Sequence, residues 1–269
     1  MKDLPIRTLI AVLLIGLLAL VLWLGGWVQA IVLGLISVIA VYEMHEIFAK
    51  KDIHPFVIPQ AVLALTMYAA MYKLGMRYVL LLAVIAFTAI MIERILNKKR
   101  TTLDAVAGMF ILIYPLAMLG CLGLIGFGRN DLSRIALFCC FAGPCMADNT
   151  AYMLGSTFGK HKLCPAISPN KTVEGAIGGV VGGALGGVIA YFVQKLWGLD
   201  VSLIMLVSLC FICGIVGQFG DLFSSTFKRW AGVKDYGNIF PGHGGVMDRL
   251  DSAMVSAPII AVVFMLFVR

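Results

Sequence analysis

Uncharged apolar runs dominate this sequence and restrict what it can fold into. The first run, residues 8–42, contains no Asp, Glu, Lys or Arg, and a Gly25-Gly26 pair breaks it in two. The later runs have about 17 to 25 residues, enough for a helix to cross the roughly 30 Å hydrocarbon core of a bilayer. Charged residues make up only 13% of the 269 residues, against about 25% in soluble domains. The sequence therefore predicts an all-α, polytopic integral membrane protein.

Breaks between the apolar runs predict about nine transmembrane helices. Pro115 predicts a kink in the fifth of them, because proline has no N–H to donate. We assign residues 1–130 to a scaffold with a possible role in a homodimer, and residues 131–269 to a catalytic part with loops 158–172 and 225–250. The predicted helices cover residues 8–24, 27–48, 56–72, 75–95, 103–127, 133–157, 173–196, 201–224 and 251–268.

The Lys and Arg residues are distributed unevenly over the two sides that this topology creates. With nine spans, the N-terminus and the loops after every second helix carry all but six of the 21 Lys and Arg residues. Cytoplasmic loops are enriched in these residues. We therefore predict a cytoplasmic N-terminus, both long loops in the cytoplasm, and a location in the cell inner (cytoplasmic) membrane. The net charge of +7 then reports topology and does not indicate nucleic-acid binding.

The most polar stretch of the chain, Ser225 to Asp251, lies between two of these helices. It contains four Lys or Arg residues, three Asp residues, one His and a glycine-rich turn. Asp148 and Asp221 lie within predicted helices, and ionisable residues inside membrane spans are costly and usually mark functional sites. With Asp248 and Asp251 at the start of the last helix, four carboxylates are expected at one cytoplasm-facing level.

These carboxylates predict a metal site. Closely spaced carboxylates repel one another, and Mg²⁺ takes carboxylate oxygens while keeping waters and substrate phosphates as its other ligands. The alternative is that Asp221 and Asp248 only form ion pairs with neighbouring Lys and Arg side chains. Asp251 has a second interpretation as a cap of the last helix, whose N-terminus favours a carboxylate.

Basic and glycine residues near the acidic ones predict phosphate binding. A glycine-rich turn can expose successive backbone N–H groups to an anion. The Ser, Asn and Thr residues within 168–172 are expected to cap the following helix, whose N-terminus also attracts anions. The candidate phosphate-binding residues are Ser168, Lys171, Lys228, Arg229, Lys234, His243, Gly244, Gly245 and Arg249.

Two long motifs connect these residues to a known family. The first motif is Ser225-x-Phe227-Lys228-Arg229, followed by Lys234-Asp235 and by His243-Gly244-Gly245-x-x-Asp248-Arg249-x-Asp251. The second, upstream, is Asp148-x-x-Ala151-Tyr152-x-x-Gly155, then Gly159-Lys160, then Ser168-Pro169-x-Lys171-Thr172-x-Glu174-Gly175. Both resemble the signatures of the phosphatidate cytidylyltransferases, also called CDP-diacylglycerol synthases. The first 130 residues resemble that family only in their apolar helices.

The resemblance implies an enzyme that transfers the cytidylyl group of CTP to phosphatidic acid, giving CDP-diacylglycerol and pyrophosphate in phospholipid biosynthesis. It implies Mg²⁺ in a two-cation site, with Asp148, Asp221 and Asp248 as metal ligands. Asp221, Asp248 and Lys171 are then the catalytic residues, and the phosphate-binding residues contact CTP and lipid. His243 has an alternative role in proton transfer.

Two other kinds of protein remain as alternatives. One is another membrane enzyme of activated lipids, either a polyprenol kinase or a CDP-alcohol phosphotransferase. The latter would carry the motif Asp-x-x-Asp-Gly-x-x-Ala-Arg, which this sequence lacks. The other is a transporter of anionic substrates. A transporter should place its intramembrane charges along a path open to both sides, whereas the carboxylates here are expected near one side.

Two further patterns each allow more than one interpretation. Glycine pairs recur every four residues from Gly178 to Gly187, which is typical of close helix packing, either within the chain or in a dimer. The alternative is an open groove for a lipid chain. His45 and the glutamates beside it, at the end of the second predicted helix, form either an interfacial polar cap or a metal cluster.

Overall fold

Helices make up most of the computed structural model, which describes residues 4–127, 131–242 and 244–267. Six helices in these ranges are long and apolar enough to cross a membrane, so the prediction of a helical multi-pass membrane protein is confirmed. The helices are α1 (Leu4–Leu24), α2 (Gly26–Ala49), α3 (Val57–Lys73), α4 (Met76–Leu96), α5 (Thr102–Ile111), α6 (Met118–Gly126), α7 (Leu132–Phe158), α8 (Val173–Val193), α9 (Leu203–Ala231) and α10 (Met247–Phe267).

The predicted cytoplasmic loop 158–172 is partly ordered as a β-hairpin, which the all-α prediction did not include. Strand β1 (Lys162–Cys164) pairs antiparallel with β2 (Ser168–Thr172). Extended backbone is expected next to Pro169, since the residue before a proline avoids the helical region.

The chain divides into two compact units. The first consists of Met1–Phe127 and Trp230–Arg249, and the second of Gly128–Arg229 and Leu250–Arg269. The end of α9, from Trp230, and the segment after it belong to the first unit, where the Trp230 ring packs. The ring of Trp230 meets that of Phe48 on α2 edge-on, with the ring centroids 5.8 Å apart.

In the first unit, α2 and α3 pack around a buried hydrogen bond of 2.8 Å between the hydroxyl groups of Ser37 and Tyr68. The predicted kink at Pro115 is confirmed. A wider, π-helical turn over Leu112–Ala117 joins α5 to α6, and Tyr114 leaves the helical region with φ −118° and ψ 106°.

The charged loop 225–250 is shorter than predicted, because α9 continues to Ala231 and α10 begins at Met247. The predicted helix boundaries at 224 and 251 are therefore wrong. Lys228 and Arg229 lie in the last turn of α9, where positive side chains favour the negative end of the helix dipole. The charged residues that were predicted to begin a loop thus belong to the end of a helix.

In the second unit, the glycine face of α8 is buried against α7 and α9. A Cβ atom added to Gly183 would lie 2.9 Å from the carbonyl oxygen of Cys210 and 3.0 Å from the Cα of Gly214, both on α9. A Cβ on Gly186 would lie 2.6 Å from the carbonyl oxygen of Ala142 on α7. The glycines therefore serve close packing within the chain, and this face is neither an open lipid groove nor a dimer surface.

Gly187→Ala should destabilise the second unit without touching the candidate site. Its new Cβ would overlap the Cα of Val207 and lie 2.6 Å from the carbonyl oxygen of Leu206, and backbone atoms cannot move aside as a side chain can. Overpacking of this kind costs about 1–3 kcal/mol, so a thermal-shift assay in detergent should report a lower Tm. Gly120→Ala is the control, since nothing lies within 4 Å of its Cβ position; an equal Tm for both variants would contradict this account.

Candidate active site

The β-hairpin of the second unit is fixed at both ends. Thr172 caps α8, its hydroxyl oxygen accepting a hydrogen bond of 3.1 Å from the Gly175 N–H, as predicted for this segment. The Glu174 carboxylate accepts a hydrogen bond of 3.1 Å from the backbone N–H of Lys160. Its other oxygen lies 2.6 Å from Nδ1 of His161. At the hairpin turn, the Arg229 Nε–H donates to the Ile167 carbonyl at 3.1 Å.

This anchoring places Lys171, on β2, against Asp221 of α9. Its Nζ lies 2.6 Å from Asp221 Oδ2, and each side chain is about a quarter exposed, at 26% and 27%. The Ser225 hydroxyl, one turn further along α9, lies 3.5 Å from the other carboxylate oxygen. This short, charge-assisted contact joins the hairpin residue Lys171 to the helix residue Asp221. The two residues lie in different predicted segments of the sequence.

Asp221 belongs to a group of three carboxylates from three helices, which we call the acidic cluster: Asp148 on α7, Asp221 on α9 and Asp251 on α10. Ser252 lies between two of them, with its hydroxyl 3.5 Å from Asp148 Oδ2 and 3.4 Å from Asp251 Oδ1. Asp251 is buried, repelled by the other two carboxylates and attracted by Lys228. Three like charges on membrane helices are costly unless cations offset them.

In the first unit, the described residues before α10, 236–242 and 244–246, fold into a compact turn. Its backbone pairs Phe240 with Gly244, whose φ of +81° favours glycine. The buried carboxylate of Asp248 closes the turn. Its Oδ2 accepts hydrogen bonds from the N–H groups of Tyr236 (2.8 Å) and Gly245 (2.9 Å), so this atom is committed to backbone donors.

The structure therefore gathers part of the predicted site in each unit. The second unit brings together Asp148, Asp221, Lys171 and Lys228. In the same unit, Ser168 is part of the hairpin and Arg229 holds its turn. Gly244 and Gly245 lie in the turn that Asp248 closes in the first unit, whereas Lys234 and Arg249 are exposed beside it. His243 lies outside the described residues.

The acidic cluster fits a hard cation in ligand type. Carboxylate and hydroxyl oxygens are what Mg²⁺ takes, and the Lys171 ammonium at Asp221 shows that the cluster already attracts positive charge. As the side chains stand, no group of three or more His, Cys, Asp or Glu residues within 4–127, 131–242 and 244–267 has metal-binding geometry. The type of ligand, rather than the present side-chain geometry, therefore supports a cation site here.

Two acidic residues that have defined partners in the structure, Asp251 and Glu43, were not selected from the sequence. Asp251 was left open between cap and ligand, although it follows Asp248 by three residues, a spacing that puts side chains on one helix face. Glu43 was grouped with His45 as a polar cap or metal cluster. Both oxygens of Glu43 accept backbone hydrogen bonds from Val246 and Met247, and no local pattern could reveal partners about 200 residues away.

Comparison with known proteins identifies the chain. The model of the cytidylyltransferase family matches residues 5–267. The chain is 32% identical over 265 residues to a phosphatidate cytidylyltransferase of Staphylococcus haemolyticus (strain JCSC1435), covering 95% of this chain and 96% of the relative. The chain is also 32% identical over 266 residues to the protein of the same name from Staphylococcus aureus (strain COL), with the same coverage.

The chain therefore belongs to the cytidylyltransferase family, and the resemblance inferred from the motifs is confirmed. It is a membrane-embedded nucleotidyltransferase.

Proposed function

We propose that this protein transfers the cytidylyl group of CTP to phosphatidic acid, forming CDP-diacylglycerol and pyrophosphate, a step of phospholipid biosynthesis. The observation that carries the proposal is the 32% identity to phosphatidate cytidylyltransferases over 95% of the chain. The acidic cluster with Lys171 and Lys228 supports it, because a reaction between two phosphate-bearing substrates needs charged groups to position and neutralise them.

In the proposed reaction, an oxygen of the lipid phosphate forms a bond to the α-phosphorus of CTP. The bond from that phosphorus to the oxygen bridging the β-phosphate breaks, and pyrophosphate leaves with the electron pair. A phosphate monoester is already anionic near neutral pH, so no side chain need remove a proton. The tasks left to the protein are in-line positioning and charge neutralisation.

We assign the cation site to the acidic cluster, with Asp148, Asp221 and Asp251 as the residues that would hold Mg²⁺. Asp248, the third metal ligand that the resemblance implied, is proposed as a catalytic carboxylate of the first unit. When bound, Mg²⁺ neutralises negative charge on the nucleotide phosphates, and a second cation is part of the proposal. Lys171 and Lys228 attract phosphate oxygens in the second unit. In the first unit, the proposed phosphate contacts are Lys234, Arg249 and the backbone of Gly244. Gly245 supports that turn, since its N–H donates to Asp248. His243 and Arg229 are proposed as further anion contacts, and Ser168 as a hydroxyl donor.

The transmembrane arrangement is proposed to comprise nine spans. The helices α1, α3 and α7 would span in addition to the six long apolar ones, α7 being less apolar because it carries Asp148 and its polar neighbours. The excess of Lys and Arg supports a proposed orientation with the N-terminus and the site at the cytoplasmic face of the cytoplasmic membrane. A homodimer, if formed, would use a surface other than the glycine face of α8.

A reaction with purified protein in detergent micelles tests the function. We expect pyrophosphate release from CTP only when phosphatidic acid and Mg²⁺ are both present, with a matching amount of CDP-diacylglycerol. Omitting either one, or adding excess chelator, should stop the release. Diacylglycerol in place of phosphatidic acid is the matched control, because it lacks the attacking phosphate. Folded protein that releases no pyrophosphate would overturn the proposal.

A further inference from the structure

Glu43 is a buried acidic residue that the proposed reaction does not use. It lies on α2, far from the family motifs in sequence, and its side chain is only 1% exposed. Its two carboxylate oxygens accept separate hydrogen bonds of 2.8 Å, Oε1 from the Val246 N–H and Oε2 from the Met247 N–H. These donors are at the junction of the compact turn and α10, so Glu43 satisfies backbone groups that α10 itself leaves without a partner.

Two glycines of the turn make room for this carboxylate. A Cβ atom on Gly245 would overlap the Glu43 carboxylate, and one on Gly237 would lie 2.7 Å from Oε1. Gly245 thus has a structural reason to be glycine. Its own N–H donates to Asp248, so the Glu43 and Asp248 carboxylates hold the turn together.

We propose that Glu43 is a positioning residue for the transfer reaction: it fixes the backbone of residues 244–247 and thereby aims the phosphate-binding turn and Asp248. The proposal rests on the proposed function, since it assumes that this turn binds substrate phosphate. A buried carboxylate with both oxygens bound to N–H groups is rigid, and rigid support is what a binding site needs from residues that do not touch the substrate.

Glu43→Gln tests this role with almost no change in volume. The amide keeps one acceptor oxygen but turns an N–H₂ donor toward a backbone donor, so one of the two anchors is lost. We expect the KM for CTP or for phosphatidic acid to rise about tenfold or more, the factor that 1.4 kcal/mol produces. Hydrogen–deuterium exchange of peptides covering Val246 and Met247 should also accelerate, a readout that needs no activity.

Glu46→Gln is the matched control: the same substitution on the same helix, one turn further on, at an exposed side chain. It should leave both KM values and the exchange unchanged. Combining Glu43→Gln with Gly245→Ala should cost less than the two single effects together, because both changes break one contact.

The outcomes separate the two proposals. Partial unfolding lowers the apparent kcat but leaves KM unchanged. A Glu43→Gln protein with a lower Tm and wild-type KM values for both substrates would therefore have lost only stability. In that case the positioning role is wrong. Unchanged exchange at Val246 and Met247 would overturn the anchoring itself. A folded wild-type protein without pyrophosphate release would instead overturn the proposed function.

Discussion

Asp221→Asn is expected to reduce turnover by about 100-fold or more, the range found when one preorganised electrostatic group is removed from a site. The substitution keeps the shape of the side chain but removes its charge from the acidic cluster and from Lys171, 2.6 Å away. The Tm should stay near that of the wild type. Conversion of radiolabelled CTP to CDP-diacylglycerol at saturating Mg²⁺ measures the effect.

Two further variants make the Asp221 result specific. Asp200→Asn removes another Asp–Lys ion pair of 2.6 Å, with Lys195, from an exposed position in the same unit, and should leave turnover unchanged. Lys171→Ala breaks the Asp221 ion pair from the other side while keeping the carboxylate, and should raise the KM for substrate more than it lowers kcat. If Asp221→Asn retained more than a tenth of wild-type turnover, Asp221 would not be a cation ligand.

Asp248→Asn should also lose about 100-fold or more in turnover, but the reason differs because this carboxylate also organises the turn. Its Oδ2 accepts from Tyr236 and Gly245, and the carbonyl oxygen of Asn can accept the same two bonds. The Asn variant should therefore lose the charge and keep the turn. Asp248→Ala should lose both, with faster amide exchange at Tyr236 and Gly245.

Comparing the Asn and Ala variants decides what Asp248 does. If Asp248→Asn turned over at the wild-type rate while Asp248→Ala were inactive, the negative charge of Asp248 would not be needed. Its role would then be limited to organising the turn. The sequence could not separate the two roles, since both need a carboxylate at the start of α10.

Much of the fold and part of the candidate site followed from the sequence. Apolar run length and the break at Gly25-Gly26 predict the helices because a bilayer accepts few other structures. The cost of an ionisable group inside a membrane span marked Asp148 and Asp221 as site residues, and the structure places them in one cluster. Pro115 and Thr172 have the local effects that their backbone chemistry requires, a kink and a helix cap.

The remainder depends on contacts that no local pattern reports. Glu174 and Arg229, on two different helices, hold the hairpin from which Lys171 reaches Asp221. The ends of α9 and α10 were misplaced because charged residues at helix termini look like loop in a membrane sequence. The role of Glu43 could not be predicted either. Its hydrogen-bond donors are backbone N–H groups, which every residue except proline has, so the sequence does not indicate which of them it meets.

The glycine face of α8 has a consequence for reading variation among related sequences. Backbone atoms of α7 and α9 approach these glycines so closely that even a methyl group is excluded at most of them. A saturation scan along α8 would show intolerance with a four-residue rhythm, as severe as at the acidic cluster yet unrelated to nucleotide chemistry. Invariance in this helix would therefore record steric limits on helix approach, and only substitutions assayed for both Tm and turnover would tell such positions from those that contact substrate.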